Sequence, residues 1–227
     1  MLRFHSLRSK LQATFLLLGV TAMGVLGWET SRRAADALRQ ATFERLTAIA
    51  ETRKRHVERY FTDLAAHVVA LSNDESTIDA IEEFSTAWHA IPPLPGGSAE
   101  LAELRKHYGT IGADSGWFPS DPRTQRLQTA FISGNSHPPL LKNLQIDAPG
   151  AGPYSNVHSR YHPTLDRYRS AFGLYDIFLL DAETGRILYT AAKEIDLGQR
   201  VLDAPYAGTT LAQAFQHART LTEATAF

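Results

Sequence analysis

The sequence predicts an α+β chain: an N-terminal transmembrane helix running into a long stalk helix, a helical and loop-rich region, and a partial antiparallel sheet at the end. Three observations carry this. Leu11 to Trp28 is an uncharged run of 18 residues, just long enough to cross a hydrocarbon core of about 30 Å as a helix. Residues 32–71 contain neither Pro nor Gly, and Ala, Leu, Arg and Glu predominate, which favours one uninterrupted helix. Two apolar runs, Tyr175 to Leu180 and Ile187 to Ala191, flank Asp181, Glu183, Thr184 and Gly185, the pattern of a β-hairpin with a glycine-bearing turn.

Composition narrows the function. With 227 residues, 44% of them apolar, the chain can bury one large core or two small ones. Lys and Arg number 23 against 24 Asp and Glu, a net charge of -1, and no basic stripe interleaves with aromatics, so nucleic acid is not an expected partner. Without cysteine there is no disulfide framework, thiolate metal site or cysteine nucleophile.

Residues 1–10 carry Arg3, Arg8 and Lys10, whereas the first charge beyond the apolar run is Glu29. This asymmetry predicts a cytoplasmic N-terminus. Residues 11–28 then form the membrane helix, with Trp28 suited to the outer interface. Thr21, Ala22, Gly24 and Gly27 also fit a cleaved signal peptide, but the length of the run and its continuation into more helix favour an anchor. Residues 29–71 read as the stalk. Leu46, Ile49, Val57, Phe61, Leu64, Val68 and Leu71 follow three-and-four spacing, and a helix of this length extends about 60 Å, more than the wall of a compact domain needs. It is expected to pair with the same helix of a second copy; the alternative is an amphipathic helix packed on its own domain.

Residues 72–170 read as helices and loops. Ser72 to Asp74 break the stalk, and Ile78, Ile81, Phe84 and Trp88 mark a helix that stops before Pro92 and Pro93. Ser98 caps a helix through Leu101 and Leu104 to His107, with Gly109 placed to end it. Ser120 caps another, with Pro122 in its first turn, Leu127, Ala130, Phe131 and Ile132 inside and Gly134 beyond its end. Asp147 to Pro153 is a turn-rich break before a segment rich in Tyr, His and Arg, Tyr154 to Ser170. Residues 171–227 hold the sheet.

The stretch from Tyr154 to Phe215 carries an ordered series of pieces: Tyr154 and His158; Tyr161, His162 and Pro163; Tyr175 to Leu179 with Asp181, Thr184 and Gly185; Lys193, Glu194 and Asp196; Pro205, Tyr206, Thr210, Leu211 and Ala212. In this order they resemble the periplasmic sensor region of bacterial transmembrane receptors, chiefly methyl-accepting chemotaxis proteins. The resemblance implies a Cache-like, PAS-related fold outside the membrane, a bacterial inner-membrane location with residues after about 29 in the periplasm, a helical homodimer and a small-molecule ligand. Such receptors continue with further strands, a second membrane helix, a HAMP-type linker and a cytoplasmic output. None of these precedes Phe227, and two strands alone are marginal in water, so the chain is expected to be a sensor part whose signalling partner is reached only through the output domain. An adenylate, guanylate or diguanylate cyclase or a histidine kinase is the alternative output, and a periplasmic binding protein with a cleaved signal the alternative class.

The expected ligand-binding residues are Tyr154, His158, Arg160, Tyr161, His162, Arg167, Tyr168, Tyr175, Asp176 and Lys193. Arg160 or Arg167 suits a carboxylate ligand and Asp176 an amine. The competing reading has the Tyr and His side chains fastening helix to sheet. His158 and His162 stand four apart, as in a zinc site, but Pro163 argues against helical geometry at His162 and no third ligand is near in sequence. Lys193, Glu194 and Asp196 read as a solvated turn with weak ion pairs. Neither an acid–base pair, a phosphate loop nor a nucleophile elbow is present, so neither an enzyme nor a cofactor is expected.

Overall fold

The computed structural model describes residues 7–112, 114 and 116–221. Residues 1–6, with Arg3 of the predicted cytoplasmic N-terminus, and residues 222–227, the end of the predicted sheet region, lie outside the described residues. The chain divides into two units, 1–62 and 63–227.

Helix α1, Leu7–Ser72, contains the whole described part of the first unit and has no buried residue. It is long and apolar enough, by length and composition, to cross a membrane. Within the uncharged run, Thr14 and Thr21 donate their hydroxyls to Lys10 O and Leu17 O at 2.9 Å, which leaves neither hydroxyl unpaired in an apolar setting.

In the second unit, α1 ends where predicted and α2 follows at Glu75–His89. Its buried face is Thr77, Ala80, Phe84, Ala87 and Trp88, while Ile78 is 46% exposed, so the inward stripe is rotated from the one expected. Helix α3, Ala99–Thr110, begins at the predicted cap, with Ser98 Oγ accepting from Leu101 N. It runs through Gly109, and the positive φ of +71° falls on Gly112. Helix α4, Pro122–Gln128, is capped by Asp121 and not by Ser120: Asp121 Oδ1 accepts from Arg123 N at 2.8 Å, and Pro122 takes the first position, where no N–H is needed. It widens into a π-turn, Thr129–Ser133. Gly134 N closes this turn on Thr129 O at 2.8 Å, and a Cβ at 134 would stand 2.6 Å from that oxygen, so the position admits no side chain. Two 3-10 turns, Pro139–Leu144 and Pro149–Ala151, lead into α5, Pro153–Ala171.

The strands are shorter than the apolar runs. β1, Phe178–Leu180, pairs antiparallel with β2, Ile187–Thr190, with Phe178 opposite Thr190, Leu179 opposite Tyr189 and an irregularity between Leu179 and Leu180. The turn is built by Asp181, whose Oδ1 accepts from Thr184 N and Oγ1 at 2.7 Å each, and by Gly185 at φ +69°. The free edge of β2 is met by residues 198–201: Ile187 N donates to Gln199 O, Gly198 N to Ile187 O and Val201 N to Gly185 O, all at 2.8–2.9 Å. The hairpin therefore has a short third segment that the sequence did not announce.

Helices α2 and α5 pack on each other, and α2 also packs on β2. Phe84 sits at the centre of this core, its ring 5.2 Å from Tyr154 and 5.3 Å from Tyr189. A smaller cluster, Ile187, Val201 and Phe215, is closed by α6, Thr210–Ala218, which Thr209 caps. The molecule is mostly helical with a small antiparallel sheet, an α+β arrangement.

Candidate functional site

The expected ligand residues fall into three groups. The first is a buried polar cluster between α5 and β2. Helix α5 continues through Pro163, contrary to the expectation at His162, and this places His158 and His162 one turn apart with their rings stacked 4.4 Å centre to centre. Tertiary hydrogen bonds overcome the local preference. His158 Nδ1 donates to Ile146 O at 2.6 Å, His162 Nε2 to Asn143 O at 2.6 Å, and Tyr189 Oη donates to His162 Nδ1 at 2.7 Å, an assignment of protons dictated by the two carbonyl acceptors. Lys193 completes the cluster. It is the described non-glycine residue with positive φ, +58°, and its Nζ lies 3.2 Å from His162 Nε2 and 3.3 Å from Ala191 O.

The electrostatics of this cluster follow from burial. Lys193 is fully buried, and desolvation pushes its ammonium down to about 7, with Asp166 and Asp176 opposing the shift. Desolvation and then Lys193 lower His162 to about 4; His158 is also lowered well below its ordinary value, by burial, His162 and Lys193. The reading of Lys193 to Asp196 as a solvated turn is thus corrected: Lys193 is sealed in, and burial raises Asp196 to about 7. A neutral amine beside two neutral imidazoles is basic and nucleophilic, but with Lys193, His158 and His162 each no more than 2% exposed the cluster fastens α5 to the sheet.

The second group is already committed to backbone and side-chain partners within the protein. Tyr154 Oη donates to Leu188 O at 2.7 Å from the core. Arg160 and Tyr161 both hold Glu83 of α2, at 2.6–2.9 Å. Asp176 accepts from Ile177 N and Ala191 N at 2.7 Å, from Ala192 N at 3.0 Å and from Thr190 Oγ1, so its carboxylate locks the loop before β1 to the end of β2. Tyr175 donates to Glu194 at the surface. The third group, Arg167 and Tyr168, lies on the exposed end of α5.

Tyr168 also lines a cleft of about 260 Å³ between the last turns of α1 and the end of α5, together with Leu64, Val68, Leu71, Phe172 and Ile177. Its walls are apolar, and His67 stands over Phe172 with ring centres 4.2 Å apart. Sequence reading assigned the α1 residues to the stalk and missed that they form a wall here.

Two further contacts join distant stretches and have no local signal: Tyr108 and Gln128 hold residues 195 and 197 on either side of Asp196, and Trp117 meets the Tyr206 ring at 5.3 Å. Tyr108 Oη donates to Gln128 Oε1 at 2.6 Å, and Gln128 Nε2 donates to Ile195 O and Leu197 O at 2.8 and 2.9 Å. These bonds clamp the chain on both sides of Asp196. Among the described residues no group of three or more His, Asp or Glu side chains is arranged to hold a metal ion.

Comparison of the chain with family models, with curated proteins and with solved structures gives no match.

Proposed function

We propose that this chain is the extracytoplasmic small-molecule sensing region of a membrane-bound bacterial receptor, of Cache-like, PAS-related fold, most plainly one of the chemotaxis type. The observation that carries the reading is the continuity of α1: a single helix contains the uncharged run from Leu11 to Trp28 and reaches Leu64 to Leu71, which wall a cleft in the second unit. An anchor helix that itself lines a pocket gives a ligand direct leverage on the anchor. Ligand binding would favour one of two arrangements of that helix, and this bias is the signal.

The stalk also supports pairing. Leu38, Phe43, Leu46, Ile49, Val57 and Phe61 are 43–71% exposed along α1, an apolar row that a second copy would cover. The natural absence of cysteine makes this directly testable. Val57→Cys in the full chain, oxidised in native membranes, is expected to give a disulfide-linked dimer. Monomer at Val57 and at every other position of the row would refute the paired stalk.

A further inference from the structure

The cleft of about 260 Å³ draws its walls from three stretches: His67, Val68 and Leu71 of α1, Asp74 at the joint with α2, and Tyr168 and Phe172 at the end of α5. It opens to solvent, since Val68 and Tyr168 are 49% and 39% exposed. Its volume lies just below the roughly 300–1,000 Å³ of sites for drug-sized ligands, which leaves room for one ring with a short chain.

Two features give this space a chemical preference. Three rings stand in a row: Phe172 has His67 at 4.2 Å and Tyr168 at 6.1 Å, the latter with planes only 12° apart. A ring-bearing ligand gains from such neighbours beyond the area it buries, and ring faces also attract cations. The second feature is Asp74. As the N-cap of α2 it would ordinarily accept an N–H of the first turn through its side chain. Its carboxylate makes no such bond, and the N–H of Thr77 goes to the Asp74 carbonyl at 2.9 Å. The lining of the cleft contains this carboxylate and neither Lys nor Arg. Apolar walls, a row of rings and a carboxylate uncommitted to its own helix are the complement of a cation that carries a ring.

We propose that this cleft binds a small primary amine bearing one aromatic ring. The ring lies against Phe172, Val68 and Leu71, and the ammonium donates to the Asp74 carboxylate. This rests on the small-molecule-sensing reading and names the ligand class. Asp74 stands two residues beyond the end of α1, so an amine held by the rings at the end of α5 and by Asp74 fastens the end of the long helix to the sensor body. A carboxylate ligand meets a like charge there and gains no such bridge.

Titration calorimetry of the full chain in nonionic detergent micelles tests this, with phenethylammonium chloride as probe, phenethyl alcohol as its uncharged counterpart and hydrocinnamate as its opposite charge. The ammonium is expected to bind saturably, the alcohol about 5-fold more weakly, the modest effect of an exposed ion pair, and the carboxylate not at all. Asp74→Asn retains a residue that caps helices equally well; it should weaken the ammonium about 5-fold and leave the alcohol unchanged. Val68→Trp fills the cleft from an exposed position of α1 and should abolish binding of both while leaving the circular dichroism spectrum unchanged. The same chain also measures uptake of the probes by the micelle. No binding of the ammonium by the parent, or equal binding by the Asp74→Asn or Val68→Trp chain, overturns the site. A parent that binds none of the three probes and self-associates less as Val68→Trp shows the cleft covered by a second copy, which also overturns it. Preference for the alcohol or for hydrocinnamate overturns the ligand class yet leaves the sensing function standing, which falls only if unrelated small molecules are equally silent.

Discussion

Lys193 Nζ lies 3.2 Å from His162 Nε2, both side chains fully enclosed, with Asn143 O within hydrogen-bond reach of each. Two groups that are ordinarily cationic or nearly so thus share one acceptor inside the core. Burial disfavours the charged form of each, and this makes folding sensitive to pH.

For Lys193 the sign is definite. Burial lowers its pKa from 10.5 to about 7, so between those values the unfolded chain binds more protons than the folded one and stability rises with pH. Lys193→Met is expected to flatten that rise and to stabilise the protein at pH 7 by on the order of 1–4 kcal/mol, the range for exchanging buried charge for a packed apolar side chain. Urea melts at pH 7 and pH 10 measure both effects.

Asp196 acts in the opposite direction. Its pKa rises from 3.8 to about 7, so across that window the folded chain binds more protons and stability falls as pH rises. His162, lowered from 6.5 to about 4, makes stability rise with pH over much of the same window, and the two nearly cancel. Asp196→Asn is expected to unmask the histidine, giving a chain that loses stability steadily from pH 6.5 to pH 4 and exceeds its parent at pH 8. Melting temperatures across this range give the comparison.

Gly185 closes the hairpin turn at φ +69°, and an added Cβ would lie 3.0 Å from Phe215 Cε1 and 3.1 Å from Val201 Cγ2. Gly185→Ala combines backbone strain with overpacking of the small cluster and should cost about 1–3 kcal/mol. Denaturant unfolding monitored by circular dichroism provides the value.

Arg160 is expected to be nearly silent. Its bond to Glu83 joins side chains that are 62% and 38% exposed, and such pairs contribute about 0–1 kcal/mol. Arg160→Ala should lower stability by no more than that and leave ligand binding intact. A loss of binding would return Arg160 to the ligand site first expected of it.

These residues show how far sequence reading reached. The long helix, the break at Ser72 to Asp74, the Ser98 cap and the hairpin with its Asp181–Gly185 turn were legible because each rests on signals within a few residues. The Asp121 cap was displaced by one position since Ser120 and Asp121 are both good caps, and only packing chooses between them. The stacked His158 and His162 were misjudged because Pro163 is a strong local signal, overruled by carbonyls of Asn143 and Ile146 from a different segment. Lys193 and Asp196 read as surface residues in the sequence, since their charge argues for solvent. Their burial depends on contacts with α3, α4 and α5 that no window of sequence contains.

Melting of the full chain in detergent micelles against a panel of small amines, carboxylates, amino acids and uncharged metabolites tests the central claim most directly. A ligand at one hundred times its dissociation constant adds about 2.7 kcal/mol to the folded state, a shift of several degrees. The sensing function predicts that at least one chemical class raises the melting temperature in a saturable, concentration-dependent way. A melting temperature unmoved by every class would contradict it.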